Sequence, residues 1–151
     1  AEGFFVTWAP SYGPEMRGGT ANCHVGISTS PIGAPMFTHP TELIAMNGPS
    51  IEKFGPQVAP GGMIFINSSV VSEKFEREDV SVYYVPCEAI AEELGNKKAA
   101  NMVMLGAFLS ATGTLKLETV EQMIHAVFAG PKEKLIPLNI AALHRGAECV
   151  K

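Results

Sequence analysis

The fold the sequence predicts is α/β, three layers (α/β/α) built around a mixed sheet, and three observations predict it. Short β-branched and aromatic segments fill the first half of the chain, and from Cys87 the apolar spacing changes to a helical period. The composition, 46% hydrophobic and 17% charged over 151 residues, supplies one well-filled core, so residues 1–151 are expected to form a single domain.

The segment GFFVTWA (residues 3–9) is aromatic and β-branched and stops at Pro10, which predicts a short buried strand. TANCHVGIS (20–28) predicts a second strand. The gap between them is too short for a helical crossover, so an antiparallel pairing is expected. Pro31, Pro35 and Pro40 then mark a surface loop. LIAMN (43–47) predicts a strand that runs into Gly48-Pro49-Ser50, and SIEKFGPQV leaves room for one brief helix. GMIFINSS (62–69) and VSVYYVP (80–86) predict two further strands, separated by the charged loop EKFERED. CEAIAEELGN begins the helical half and closes at Gly95-Asn96. Asn96 is placed to cap the helix KKAANMVMLGAFLSATG, which ends at Gly113. LETVEQMIHAVFAG predicts an amphipathic helix with Val120, Ile124 and Val127 on one face. The last segment, from Lys132 to about Arg145, is expected to be helical with a kink or break at Pro137.

A net charge of −4 argues against nucleic acid and against an anionic membrane surface as partners. Cys23, Cys87 and Cys149 are odd in number and widely spaced, as expected of reduced thiols in a cytoplasmic protein. No apolar run reaches the roughly 18 residues of a spanning helix, and no basic-then-apolar leader is present at the start of the sequence, so a soluble chain is expected.

Ligands of open α/β sheets collect beyond the carboxyl ends of the strands. Three predicted strands leave into small polar segments, PSYGPEMRGG, NGPS and NSSV. Parallel strands would therefore bring Tyr12, Arg17, Asn47, Asn67 and Ser68 to one rim. Gly13, Gly18 and Gly19 would let backbone approach a ligand closely, and Arg17 offers a fork for a carboxylate or phosphate. Ordinary turns select the same residue types. Nucleophilic and metal chemistry find no constellation. Cys23 and His24 are adjacent in a strand and point to opposite faces, and His39, His125 and His144 lack paired spacing. GPEMRGG matches neither dinucleotide nor P-loop patterns. The stretch Ala99–Leu109 is apolar or glycine everywhere except Asn101, so that helix must be enclosed, either between the sheet and another helix or against a second chain.

Taken in order, TWAPSYGPEMRGGTANCHV, SPIGAP, LIAMNGPS, GGMIFINSS, ELGNKKAANMVMLGAFLSATG and KEKLIPLNIAALHRG closely resemble the gamma subunit of 2-oxoacid:ferredoxin (acceptor) oxidoreductases, and they cover nearly the whole chain. SYGPEMRGGTANCHV is most similar to the 2-oxoglutarate branch, with branched-chain 2-oxoacid enzymes next and pyruvate enzymes further away. The resemblance implies the fold of the gamma domain (domain III) of pyruvate:ferredoxin oxidoreductase. It implies an assembled enzyme in which a 2-oxoacid is decarboxylated on thiamine diphosphate, electrons leave through iron–sulfur clusters to ferredoxin, and the acyl group passes to coenzyme A. Thiamine diphosphate and the clusters are implied to sit on other subunits, so this chain alone is expected to bind no cofactor and to have no activity in isolation. Alpha and beta subunits are the implied partners, with a delta subunit a further candidate.

The site residues carried by this reading are Ser11, Tyr12, Gly13, Arg17, Gly18, Gly19, Asn47, Asn67 and Ser68, as shapers of loops and polar contacts to coenzyme A or to the catalytic subunits. One departure stands out: the family's N-terminal strand and glycine-rich GGQG turn, leading into a helix, precede the segment matching Gly3–Ala9 and have no counterpart in this sequence. Two readings of other classes stay open, a stand-alone small-molecule-binding domain and a homodimer formed through Ala99–Leu109.

Overall fold

A computed structural model describes residues 2–11 and 21–150. The elements follow the order β1 (Phe5–Ser11), β2 (Asn22–Ser28), β3 (Glu42–Ala45), α1 (Gly48–Phe54), β4 (Met63–Asn67), β5 (Ser81–Val85), α2 (Cys87–Glu93), α3 (Ala100–Thr112), α4 (Leu117–Val127) and α5 (Ile136–Glu148). The α/β class is as expected. Strands of both senses are present, but among the described residues they are divided between two sheets: β1 and β2 form an antiparallel ribbon, while β3, β4 and β5 pair in parallel with β4 central.

The parallel sheet follows from the run Ile64-Phe65-Ile66, apolar on both faces and without exposed surface, as a strand covered on both sides requires. Ile64 and Ile66 face Ala45, Ile51 and Val58, on the side of α1. Phe65 and Val85 face the other side, where Ala91, Val103 and Met104 of α2 and α3 complete the core. Phe65 stacks on Tyr83 with centroids 5.0 Å apart and meets Phe108 of α3 edge-on at 5.5 Å, tying sheet to helix.

The closest helix pair is α3 and α5. A Cβ built on Gly106 would lie 1.9 Å from the Leu143 carbonyl oxygen, and one on Gly146 would lie 1.8 Å from that of Val103. Two glycines thus bring the two backbones into direct contact. This settles what encloses the apolar helix: α3 is covered within the chain by the sheet, α2 and α5. A second copy is not needed to bury it.

Several local expectations need correction. The segment 3–9 is a strand but not a buried one: Phe5, Val6 and Trp8 are exposed, because β1 pairs with β2 apart from the parallel sheet. Val127 is also exposed, while Ile124 on the same helix is buried against α3 and α5. Pro137 neither kinks nor breaks a helix. It lies in the first turn of α5, where its missing N–H costs nothing, and the 3₁₀ turn Gly130–Leu135 precedes it. Asn96 caps the 3₁₀ turn Lys97–Ala99 that leads into α3, and Gly113 ends that helix with φ of 65°.

Candidate functional site

Because β3, β4 and β5 are parallel, their carboxyl ends lie along one edge, and the residues just beyond them form a rim. Asn47 lies just beyond β3 and caps α1: its Oδ1 accepts the Ser50 N–H at 3.0 Å, and the residue is exposed. Asn67 ends β4 and has no exposed surface at all. Its Nδ2 donates to the Met46 carbonyl at 3.4 Å and to Glu88 Oε1 at 3.1 Å, and its Oδ1 accepts the Ser69 N–H at 3.2 Å. One amide therefore joins the ends of β3 and β4 to the first turn of α2, with both its hydrogens and its oxygen used. Ser68 extends the β4–β5 ladder through its N–H to the Val85 carbonyl at 2.9 Å.

Two rim residues were not anticipated from sequence. Pro86 at the start of α2 has no capping side chain, and Ser69 supplies the cap from another segment, its Oγ accepting the Ala89 N–H at 3.2 Å. Glu88 receives Asn67 on Oε1, while its Oε2 is buried with no partner among the described residues. Neither role has a local signal, since each depends on two segments about twenty residues apart meeting at the sheet edge.

The candidates from the segment 11–19 fall differently. Ser11 is exposed at the end of β1, opposite Asn22, and belongs to the ribbon and not to the parallel strands. Tyr12, Gly13, Arg17, Gly18 and Gly19 lie outside the described residues. The described rim thus brings together Asn47, Asn67 and Ser68 of the expected set.

The thiols do not make a reactive centre. Cys87 is buried at the start of α2, and burial, reinforced by the negative charge of Glu88, pushes its pKa up to about 12, so it stays a protonated thiol. Cys23 is exposed on the ribbon, and Cys149, exposed near the end of α5, donates to the Arg145 carbonyl at 3.4 Å. Burial raises its pKa too. An iron–sulfur cluster needs four thiolates converging on one point, a requirement that one enclosed, protonated Cys87 and two surface thiols do not fit. Three of the four histidines make local contacts: His24 Nδ1 accepts the Phe37 N–H at 3.3 Å, His39 Nδ1 lies 3.1 Å from the Gln57 carbonyl, and His144 pairs with Glu121. Among the described residues no group of three or more His, Cys, Asp or Glu side chains could hold a metal, and no helix is long and apolar enough to cross a membrane. What the rim can do is present hydrogen-bonding groups from a rigid edge.

A family model described as pyruvate ferredoxin/flavodoxin oxidoreductase matches residues 1–149. The chain is 43% identical over 150 residues to ketoisovalerate oxidoreductase subunit VorA of Methanothermobacter thermautotrophicus, an alignment covering 98% of this chain and 31% of the relative. It is 35% identical over 144 residues to 2-oxoglutarate synthase subunit KorC of Methanocaldococcus jannaschii, covering 93% of this chain and 75% of the relative. The chain thus spans 31% of the length of the VorA relatives but most of KorC. Among solved structures, the gamma subunit of keto/oxoacid ferredoxin oxidoreductase from Geobacter sulfurreducens superimposes with a TM-score of 0.79 at 28% identity, covering 99% of this chain and 82% of that one. The 2-oxoglutarate:ferredoxin oxidoreductase from Magnetococcus marinus shares the fold, with a TM-score of 0.80 at 19% identity over 98% of this chain and 26% of that one. A parallel sheet ending in a polar rim, a helical half closed by a glycine contact, and a match running through nearly every residue lead to one conclusion: the chain belongs to the pyruvate ferredoxin/flavodoxin oxidoreductase family.

Proposed function

We propose that this chain is the gamma module of a multi-subunit 2-oxoacid:acceptor oxidoreductase, contributing surface and shape while its partners contribute reactivity. The observation that carries this reading is the 35% identity to KorC over 93% of this chain and 75% of that subunit's length. In the assembled enzyme, thiamine diphosphate would supply decarboxylation, iron–sulfur clusters the path of electrons to ferredoxin, and coenzyme A the acyl acceptor. Alpha and beta subunits, with a delta subunit as a further candidate, would carry the first two. This chain's part is to position: Asn67 fixes the rim from beneath, and Asn47, Ser68 and Ser69 present polar groups along it. Among the described candidate residues of the rim Glu88 is a carboxylate and none is a cation, so Arg17, in the segment 12–20, is the charge partner proposed for a phosphate-bearing ligand such as coenzyme A.

The substrate reading favoured by the form of SYGPEMRGGTANCHV is 2-oxoglutarate. A branched-chain 2-oxoacid is the second reading, favoured by the 43% identity to VorA against 35% to KorC. Co-expression with its partner subunits in a cytoplasmic host, followed by acceptor reduction on a panel of 2-oxoacids, separates the two. Failure to associate with any thiamine-bearing chain, or oxoacid turnover by this chain alone, would overturn the proposal. A monomer that tightly binds an adenine nucleotide would favour a stand-alone binding domain in its place. In the assembled enzyme, Arg17→Ala is expected to raise KM for coenzyme A by about tenfold or to weaken assembly. Unchanged kinetics in an unchanged complex would remove Arg17 from the site.

A further inference from the structure

One face of the β1–β2 ribbon is made of apolar side chains alone. Residues opposite one another in an antiparallel pair share a face, so the register puts Val6, Trp8 and Pro10 of β1 beside Ile27, Val25 and Cys23 of β2. None of the six carries a charge. Phe4 continues the alternation of β1, and with Val6 it lines a notch of about 180 Å³ whose other wall is Leu115, just before α4, and Thr119 in the first turn of that helix. The one charged residue lining the notch among the described residues is Glu2, and its Oε1 already accepts the Lys116 N–H and the Thr119 hydroxyl. Beyond Thr119, Met123 and Val127 follow at four-residue intervals, so the surface continues along one side of α4.

The extent of this surface bears on its use. Phe4, Val6, Trp8, Val25, Met123 and Val127 are 37% to 68% exposed. Side chains of that size and exposure leave on the order of 600 Å² of apolar area open to water, the upper end of the roughly 300–600 Å² of a monomer's largest patch and most of the roughly 800 Å² that each partner gives to a standard interface. An uncharged patch holding an indole and a thioether has the composition of an interface core. The relatives indicate which kind of partner covers it. The aligned sequence makes up 31% of ketoisovalerate oxidoreductase subunit VorA, so in that protein the same module is joined to a much longer stretch of further polypeptide. A second copy of this chain would bring the same net charge of −4 to the contact, which opposes self-pairing.

We propose that the apolar face of the ribbon, with the notch and the side of α4 that continues it, is where this chain docks the partner subunit equivalent to the remainder of VorA, and that the partner meets it with an uncharged, apolar patch. This rests on the reading of the chain as one module of a multi-subunit oxidoreductase, and it says which side of the module faces the partner. Trp8, the largest of the exposed side chains, is the anchor. A carboxylate introduced on this face would lose its water on docking without gaining a counter-charge.

The test is co-expression of the full chain with its alpha and beta subunits, capture through a tag on a partner, and sedimentation of what is captured. Trp8→Glu with Met123→Glu should weaken association by about tenfold or more. Both positions are exposed, so circular dichroism of the free double variant should match that of the unchanged chain. Trp8→Ala, which removes surface and adds no charge, is the milder second variant and should weaken association several-fold. Lys98→Glu, an exposed charge change on the turn before α3, is the control and should associate as the unchanged chain does. Undiminished association of both Trp8 variants overturns the inference and leaves the gamma-module reading standing, as does an equal loss in the control. An unchanged chain that joins neither subunit overturns both. A free chain that sediments as a dimer, and as a monomer once Trp8 and Met123 are replaced, overturns the inference by assigning this face to a second copy.

Discussion

Cys87 shows how much a single side chain's chemistry depends on where the chain folds it. A thiol that ionises near 9.0 when unfolded and at about 12 when enclosed holds its proton more tightly in the folded state. Its contribution is therefore complete below about pH 9 and is lost as pH rises toward about 12, because only the unfolded chain ionises in that window. By about pH 10 the native protein should have lost on the order of 1 kcal/mol relative to a Cys87→Ala chain, read as a converging pair of urea-denaturation curves measured from about pH 8 upward. Curves that stay parallel over that range would show that the thiol is not enclosed. None of this is legible in the sequence, where Cys87 is one of three scattered cysteines. Asn67 and Ser68 were legible as polar residues ending an apolar strand, but their division of labour was not. Asn67 is enclosed because β3 and α2 close over it, and Ser69 and Glu88 join the site only through that same packing.

At the scale of elements, positions and types could be read from period and punctuation where β4 ends at Asn67, β5 stops before Pro86, and Gly95 and Gly113 follow α2 and α3, but not at Pro10, which β1 runs through to end at Ser11. What could not be read is how elements meet. Gly106 in the middle of α3 looks in sequence like a helix-weakening residue, yet with Gly146 it is the reason α3 and α5 touch backbone to backbone. Gly106→Ala should destabilise the protein by about 3 kcal/mol or more, because a carbonyl oxygen 1.9 Å from the new Cβ has to move with its helix. Gly33→Ala, whose Cβ would meet nothing within 4 Å, is the control and should shift the thermal midpoint little. Equal midpoints for the two variants would mean that α3 and α5 are not so closely packed. The same blindness to meeting points made Pro137 look like a breaker, when it opens α5.

Across the whole molecule, an enclosed strand and an apolar strand on the surface have the same composition, so the placement of the ribbon was beyond the sequence. Val6, Trp8 and Val25 are 68%, 65% and 54% exposed, and the register pairs Trp8 directly with Val25, so they share one face. The opposite face is occupied, with His24 and Gly26 against Phe37 and Ile32 of the proline-rich loop. Glu2 fastens the beginning of this segment to the start of α4, its Oε1 accepting the Lys116 N–H at 2.8 Å and the Thr119 hydroxyl at 2.6 Å. Those hydrogen bonds, Thr119 first, hold its pKa below the ordinary carboxylate range, so the fastening persists at neutral pH and loosens only on acidification. Trp8 is the chain's one tryptophan. Its fluorescence is consequently a built-in reporter: red-shifted and readily quenched by acrylamide while the indole meets water, and blue-shifted and shielded once another surface closes over it. Titrating candidate subunits into this chain and watching one emission band would then reveal, without label or assay, whether that side of the ribbon is where company arrives; an emission already blue and shielded in the free chain would contradict the exposed indole.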